Sequence, residues 1–73
     1  MKEKDKSILE TIGARILQIR IEKKLTQEEV SYRCEVDRGK ISKIETGTAN
    51  YNITTLVELA KGLGVEAKEL LDF

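Results

Sequence analysis

The chain has 73 residues, 40 % hydrophobic and 36 % charged, with three aromatics, one cysteine, no histidine, and thirteen basic residues against thirteen acidic ones. That length holds one aliphatic core and no second domain. The lone cysteine excludes an internal disulfide, and the missing histidines remove a Cys/His zinc site, Ser-His or Cys-His catalysis and a His general base.

No cofactor loop and no carboxylate cluster accompanies this, so the expectation is a non-enzyme without metal or cofactor. The charged start and the lack of a long apolar run point away from secretion or membrane insertion and toward the reducing cytoplasm. Zero net charge argues weakly against a nucleic-acid partner, but the charges are not evenly spread. Residues 1–25 carry seven basic and four acidic groups, residues 51–73 two and four.

Taken in order, residues 1–6 are charge-dense without an apolar anchor. They predict a frayed, flexible N-terminus rather than a contacting arm. Ser7 with Glu10 three residues on reads as the start of a first helix, with Ile8, Ile12, Ile16 and Ile19 as its core stripe. Leu9 and Leu17 fall to one side. Gly13, costly inside a helix, marks close approach by another helix.

Thr26 and Glu29 have capping-box spacing, which opens a second helix bearing Val30 and Cys34 on one face. Cys34 reads as a small buried apolar residue rather than a redox sensor. Val36 falls in a turn, and Asp37 is an N-cap for a third helix whose inward stripe is Ile41 and Ile44. Gly47 ends that helix in a left-handed cap. Its outward positions are Arg38, Gly39, Lys40, Ser42 and Lys43, a short face rich in cations. Asn50 and Asn52 suit a turn. Thr54 then caps, or nearly caps, a fourth helix with Leu56, Leu59, Ala60 and Leu63, closed between Gly62 and Gly64. A last short helix runs from about Glu66 to Leu71. The sum is an all-α, five-helix domain over 7–73, with no strand, linker or repeat.

The run Leu25-Thr26-Gln27-Glu28-Glu29-Val30-Ser31, then Val36-Asp37, then Ile41-Ser42 with Ile44-Glu45 and Gly47, resembles the helix-turn-helix of the phage repressor/Cro (XRE-type) family. The likeness continues through Asn50, Thr55-Leu56, Leu59-Ala60 and Leu63-Gly64-Val65 and covers nearly the whole domain, with the motif at about 26–46. It implies a sequence-specific DNA-binding transcriptional regulator. Such a protein acts as a homodimer on a two-fold operator, with the second motif helix in the major groove. It also implies that Arg20 reaches Glu45, that Gln27 binds phosphate and braces that helix, and that Lys43 matches a base-contacting position and Lys40 a backbone-contacting one. Two departures stand out. Glu35 lies in the turn where the family often has glycine, and a left-handed backbone there would cost about 1 kcal/mol. Tyr51 stands where proline is common.

With that helix in the groove, Arg38 behind the Asp37 cap is the best base reader, because its planar fork donates two hydrogen bonds to guanine O6 and N7. Gly39 permits close approach, and Ser42 and Thr46 are candidate phosphate donors. Leu70, Leu71 and Phe73 are too many apolar groups for a free tail: either they complete the core or they form a subunit contact, and the expected dimer seam is the fifth helix. The Asp37-Arg38 start and the loop from Asn50 to Leu56 also look like the small controller proteins of restriction–modification systems. An antitoxin or a phage immunity repressor fits as well. The competing class is a helical protein-interaction module without DNA binding, which the zero net charge and acidic tail favour.

Overall fold

A computed structural model of the chain describes residues 3–73. Four α-helices and a terminal 3-10 helix follow one another: α1 Glu3–Glu22, α2 Gln27–Tyr32, α3 Arg38–Glu45, α4 Ile53–Leu63, then Ala67–Leu71. The chain is all-α, and the described residues include no strand. The fifth helix expected from sequence is thus a 3-10 turn, with i→i+3 geometry, rather than an α-helix.

The core is aliphatic throughout. Ile12, Ile16 and Ile19 of α1 meet Val30, Val36, Ile41 and Ile44, with Leu56, Leu59, Ala60 and Leu63 of α4 closing it. Ile41, Ile44, Leu59 and Leu70 have no exposed surface at all. Truncating any such side chain to alanine costs about 2–5 kcal/mol, a large part of what a domain of this size has.

Two close approaches set the angle between α1 and the motif. A β-carbon on Gly13 would sit 2.7 Å from the carbonyl oxygen of Glu45 and closer still to that of Ile44. The close approach expected at Gly13 is therefore the last turn of α3. Gly47, at φ 75°, closes α3 and lies against Glu10, whose Cα would be 2.7 Å from an added β-carbon. Glycine is needed there for its conformation and for its size.

Several boundaries differ from expectation. α1 begins at Glu3, so residues 3–6 are helical rather than frayed, while Met1 and Lys2 lie outside the described residues. Ser7 is therefore inside the helix and not its cap; its carbonyl accepts from the Thr11 hydroxyl. Ile8, expected in the core stripe, is half exposed and lies outside the buried cluster. Asn52, not Thr54, caps α4. Its Oδ1 accepts from the Thr55 amide at 3.0 Å and from the hydroxyls of Thr54 and Thr55. Cys34 is half-buried rather than buried, its thiol 3.3 Å from the Val30 carbonyl.

Glu35 carries no left-handed strain. Among the described residues the one non-glycine with positive φ is Lys24, at 58°. It sits just past α1, where the Lys24 amide donates to Ile21 O and the Leu25 amide to Arg20 O. That is the hydrogen-bond pair of a Schellman cap, with lysine where Gly47 and Gly64 serve the later helices. The Glu35 amide is met instead by Glu58 Oε1 of α4, at 3.0 Å.

Of the two roles open to Leu70, completing the core is the one the fold uses, which takes it out of the expected dimer seam. The 3-10 turn points it inward, fully buried in this chain's own core, so it offers nothing to a second copy. Leu71 and Phe73 stay exposed.

Candidate nucleic-acid interface

The outer surface of α3 is held in place by caps and by one carboxylate. At the start of α2, the Thr26 hydroxyl accepts from the Glu29 amide at 3.0 Å, and the Glu29 carboxylate accepts from the Thr26 amide at 2.9 Å. Those bonds hold the Glu29 carboxyl below the usual carboxylate range. At the start of α3, Asp37 Oδ1 accepts from the Lys40 amide at 3.0 Å. Both expected caps are therefore formed.

The carboxylate is that of Glu45, in the last turn of α3 and almost wholly buried. Arg20 donates to it twice, Nε to Oε2 at 2.7 Å and NH2 to Oε1 at 3.1 Å, and sends NH1 to the Leu25 carbonyl at 2.8 Å. Gln27 Nε2 donates to Oε1 at 2.9 Å. The end of α1, the start of α2 and the end of α3 thus converge on one side chain. A bidentate guanidinium–carboxylate pair is directional, so it fixes the orientation of α3 as well as its place.

What α3 presents outward is cationic. Arg38 and Lys43 are exposed and Lys40 is half-buried, with the cap Asp37 beside them and Glu28 of α2 near Arg38. The helix separates two shallow clefts. Arg38 shares the first with Arg20, Thr26, Gln27 and Glu28. Gly39, Lys40, Lys43 and Asp37 line the second, together with Thr48, Ala49 and Asn50. Gly39 lines this cleft without a side chain, and a β-carbon there would lie 3.2 Å from Asp37 Oδ1.

Ser42 and Thr46 line neither cleft. The Thr46 hydroxyl lies 3.2 and 3.1 Å from the Ser42 and Lys43 carbonyls and 3.0 Å from the Thr48 hydroxyl, so its proton is engaged by the end of its own helix. Thr48, Ala49 and Asn50 were not among the expected site residues. Lys40 Nζ donates to the Asn50 carbonyl at 3.3 Å, which draws this loop against α3. No sequence signal marks that contact, since Asn50 reads simply as a turn former.

A family model described as a helix-turn-helix domain matches residues 13–72. The chain belongs to the XRE-type helix-turn-helix family of transcriptional regulators. Within that family it is 40 % identical over 62 residues to the control protein C.BamHI of Bacillus amyloliquefaciens, covering 84 % of this chain and 76 % of that one. Its fold is similar to the restriction–modification controller protein C.AhdI of Aeromonas hydrophila, with TM-score 0.84, 29 % identity, and 89 % and 94 % of the two chains covered. It is also similar to the controller C.Esp1396I, solved as a tetramer in complex with its natural 35 base-pair operator. There the TM-score is 0.77 and the identity 36 %, covering 89 % of this chain and 96 % of that one. These helix-turn-helix relatives are regulators. No helix among the described residues is long and apolar enough to cross a membrane, and no group of metal-ligating side chains occurs among them.

Proposed function

We propose that this helix-turn-helix protein is a sequence-specific, DNA-binding transcriptional regulator that works in the cytoplasm as a homodimer on a two-fold operator. The observation that carries the reading is the geometry of α3. Three cations stand on the outward face of a helix whose inward side is clamped through Glu45 to both neighbouring helices. A rigid reading helix loses little freedom on entering the major groove, where side chains of its first turn meet base edges. Arg38 is the base reader, with its fork suited to guanine, and Lys43 reaches bases from the next turn. Gln27, from the first cleft, and Lys40, from the second, bind the phosphate backbone, with Ser42 as an additional donor. Zero net charge is compatible with this, because counterion release depends on the cations at the contact and not on the total. No catalytic step forms part of the activity.

The finer reading is a controller protein of a restriction–modification system. The likeness to C.BamHI, C.AhdI and C.Esp1396I supports it, together with the small size of the domain.

A gel-shift titration against the chain's own upstream DNA, repeated at rising salt, tests the function. A discrete complex is expected that weakens steeply with salt and survives excess random DNA. A protein-interaction module without DNA binding gives no complex, or one that random DNA removes equally well.

A further inference from the structure

We propose that Lys24, in the turn between α1 and α2, is a further contact to the DNA backbone, its ammonium on a phosphate next to the one that Gln27 meets. The inference rests on the DNA-binding reading above and adds to it a residue outside the helix-turn-helix motif. Lys24 is the one non-glycine among the described residues with positive φ, at 58°. After α3 and α4 the same left-handed position is filled by Gly47 and Gly64. The turn itself makes no use of the lysine side chain, because the bonds that close α1 run from the backbone amides of Lys24 and Leu25. Residues held in such backbone regions gather where a ligand is clamped. Lys23 is different: its amide continues the helical pattern to Ile19 O, so a lysine there costs nothing.

The turn is fixed at the edge of the first cleft. Leu25 is stitched to Arg20 at both ends, its amide donating to Arg20 O at 3.1 Å and its carbonyl accepting from Arg20 NH1 at 2.8 Å. The same arginine lines the first cleft with Thr26 and Gln27. Lys24 stands two residues before Thr26, at most about 7 Å away along the chain. In a helix-turn-helix the first motif helix crosses the DNA backbone while the second enters the groove, so phosphates pass at the start of α2. A compact ammonium on a flexible four-carbon stem spans what distance is left. Lys24 is exposed and enters no ion pair among the described residues.

The charges on the two sides of α3 point the same way. The second cleft has Lys40 and Lys43. In the first, the charge of Arg20 is taken up by Glu45, Arg38 is the base reader, Gln27 is neutral and Glu28 is acidic. Both walls of a major groove carry phosphates, and Lys24 supplies the cation that the first wall otherwise lacks.

The test is a salt titration of binding by the full chain, on its own upstream DNA and on random DNA. Lys24→Gly strips the side chain and suits the backbone, so the variant folds, and calorimetry verifies this. It is expected to bind both DNAs more weakly by the same factor, a deficit that shrinks about 3.5-fold between 50 and 200 mM salt as one phosphate contact is lost. Lys24→Arg, which keeps the charge, is expected to keep the wild-type slope. Ethylation interference locates the contact: one phosphate in each half-site, beside that of Gln27, matters to wild type and ceases to matter to Lys24→Gly. Wild-type affinity and slope in Lys24→Gly, or Lys24→Arg as weak as Lys24→Gly, overturns the contact and leaves the DNA-binding reading standing. A wild-type chain with no preference for its upstream DNA and no salt dependence overturns that reading, and the contact with it.

Discussion

Arg20 and Glu45, twenty-five residues apart, meet edge to edge, with two nitrogens of one guanidinium on two oxygens of one carboxylate. The pair is nearly dry, with 14 % of the arginine and 4 % of the glutamate side chain exposed. Burying two charges gains little net stability, but breaking such a pair is expensive. Glu45→Gln replaces an accepting oxygen with an amide donor that faces the donors of Arg20 and Gln27. We expect a loss of about 1–3 kcal/mol in urea denaturation, well beyond a surface substitution. A midpoint within error of wild type would show that the clamp is dispensable.

Lys24 is the one place where the backbone conformation and the residue disagree. Its left-handed φ closes α1 in the geometry that Gly47 and Gly64 provide elsewhere. Lys24→Gly should therefore stabilise the protein, by about 0.5–1 kcal/mol after the greater freedom of glycine in the unfolded chain is subtracted. A lower melting temperature in calorimetry would mean that the lysine side chain contributes something its exposed position does not suggest.

The capping box gives a pH dependence whose sign is set. Because the folded state holds the Glu29 carboxyl below its ordinary value of 4.5, its contribution is complete above that value and is lost as pH falls through the lower, folded-state pKa. Stability curves for wild type and Glu29→Gln should converge in acid and separate toward neutrality. Parallel curves across the whole range would contradict the assignment.

How far the sequence foretells this follows from the range of each interaction. The caps at Thr26–Glu29 and Asp37 were legible because they join residues three apart. Gly13 was legible as a close approach because a glycine inside a helix costs up to about 1 kcal/mol against alanine, a cost worth bearing where a neighbouring backbone leaves no room for a β-carbon. The resemblance to the repressor/Cro family supplied the Arg20–Glu45 contact, which periodicity alone does not give. Whether Leu70 joins the core or a subunit contact is not legible in sequence, because a 3-10 turn rotates by a third of a circle per residue and nothing local distinguishes it from one turn of α-helix. The start of α4 was ambiguous for a different reason: Asn52, Thr54 and Thr55 all suit a cap, and the three-way hydrogen bonding at Asn52 Oδ1 decides among them. The second cleft, drawn together by Lys40 and Asn50, depends on a fold contact that no spacing encodes.

The cations of α3 should separate by role. Arg38→Ala is expected to cost about 1–3 kcal/mol of specific binding and to relax preference at one base pair of each half-site. Lys40→Ala should weaken all sequences alike and shallow the salt dependence by about one unit of log–log slope. Selection from a randomised operator pool, combined with salt titrations, distinguishes them. Lost discrimination with an unchanged slope for Lys40→Ala would reverse the two assignments.

The function proposed for this chain requires two copies of α3 to read one duplex. Hydroxyl-radical footprinting of the chain's own upstream DNA tests it most directly. The expected pattern is a pair of protected, two-fold-related half-sites about 34 Å apart along the helix axis, lost with Arg38→Ala at protein concentrations where the variant remains folded. A single unpaired footprint, or protection that Arg38→Ala leaves intact, would contradict paired reading by α3.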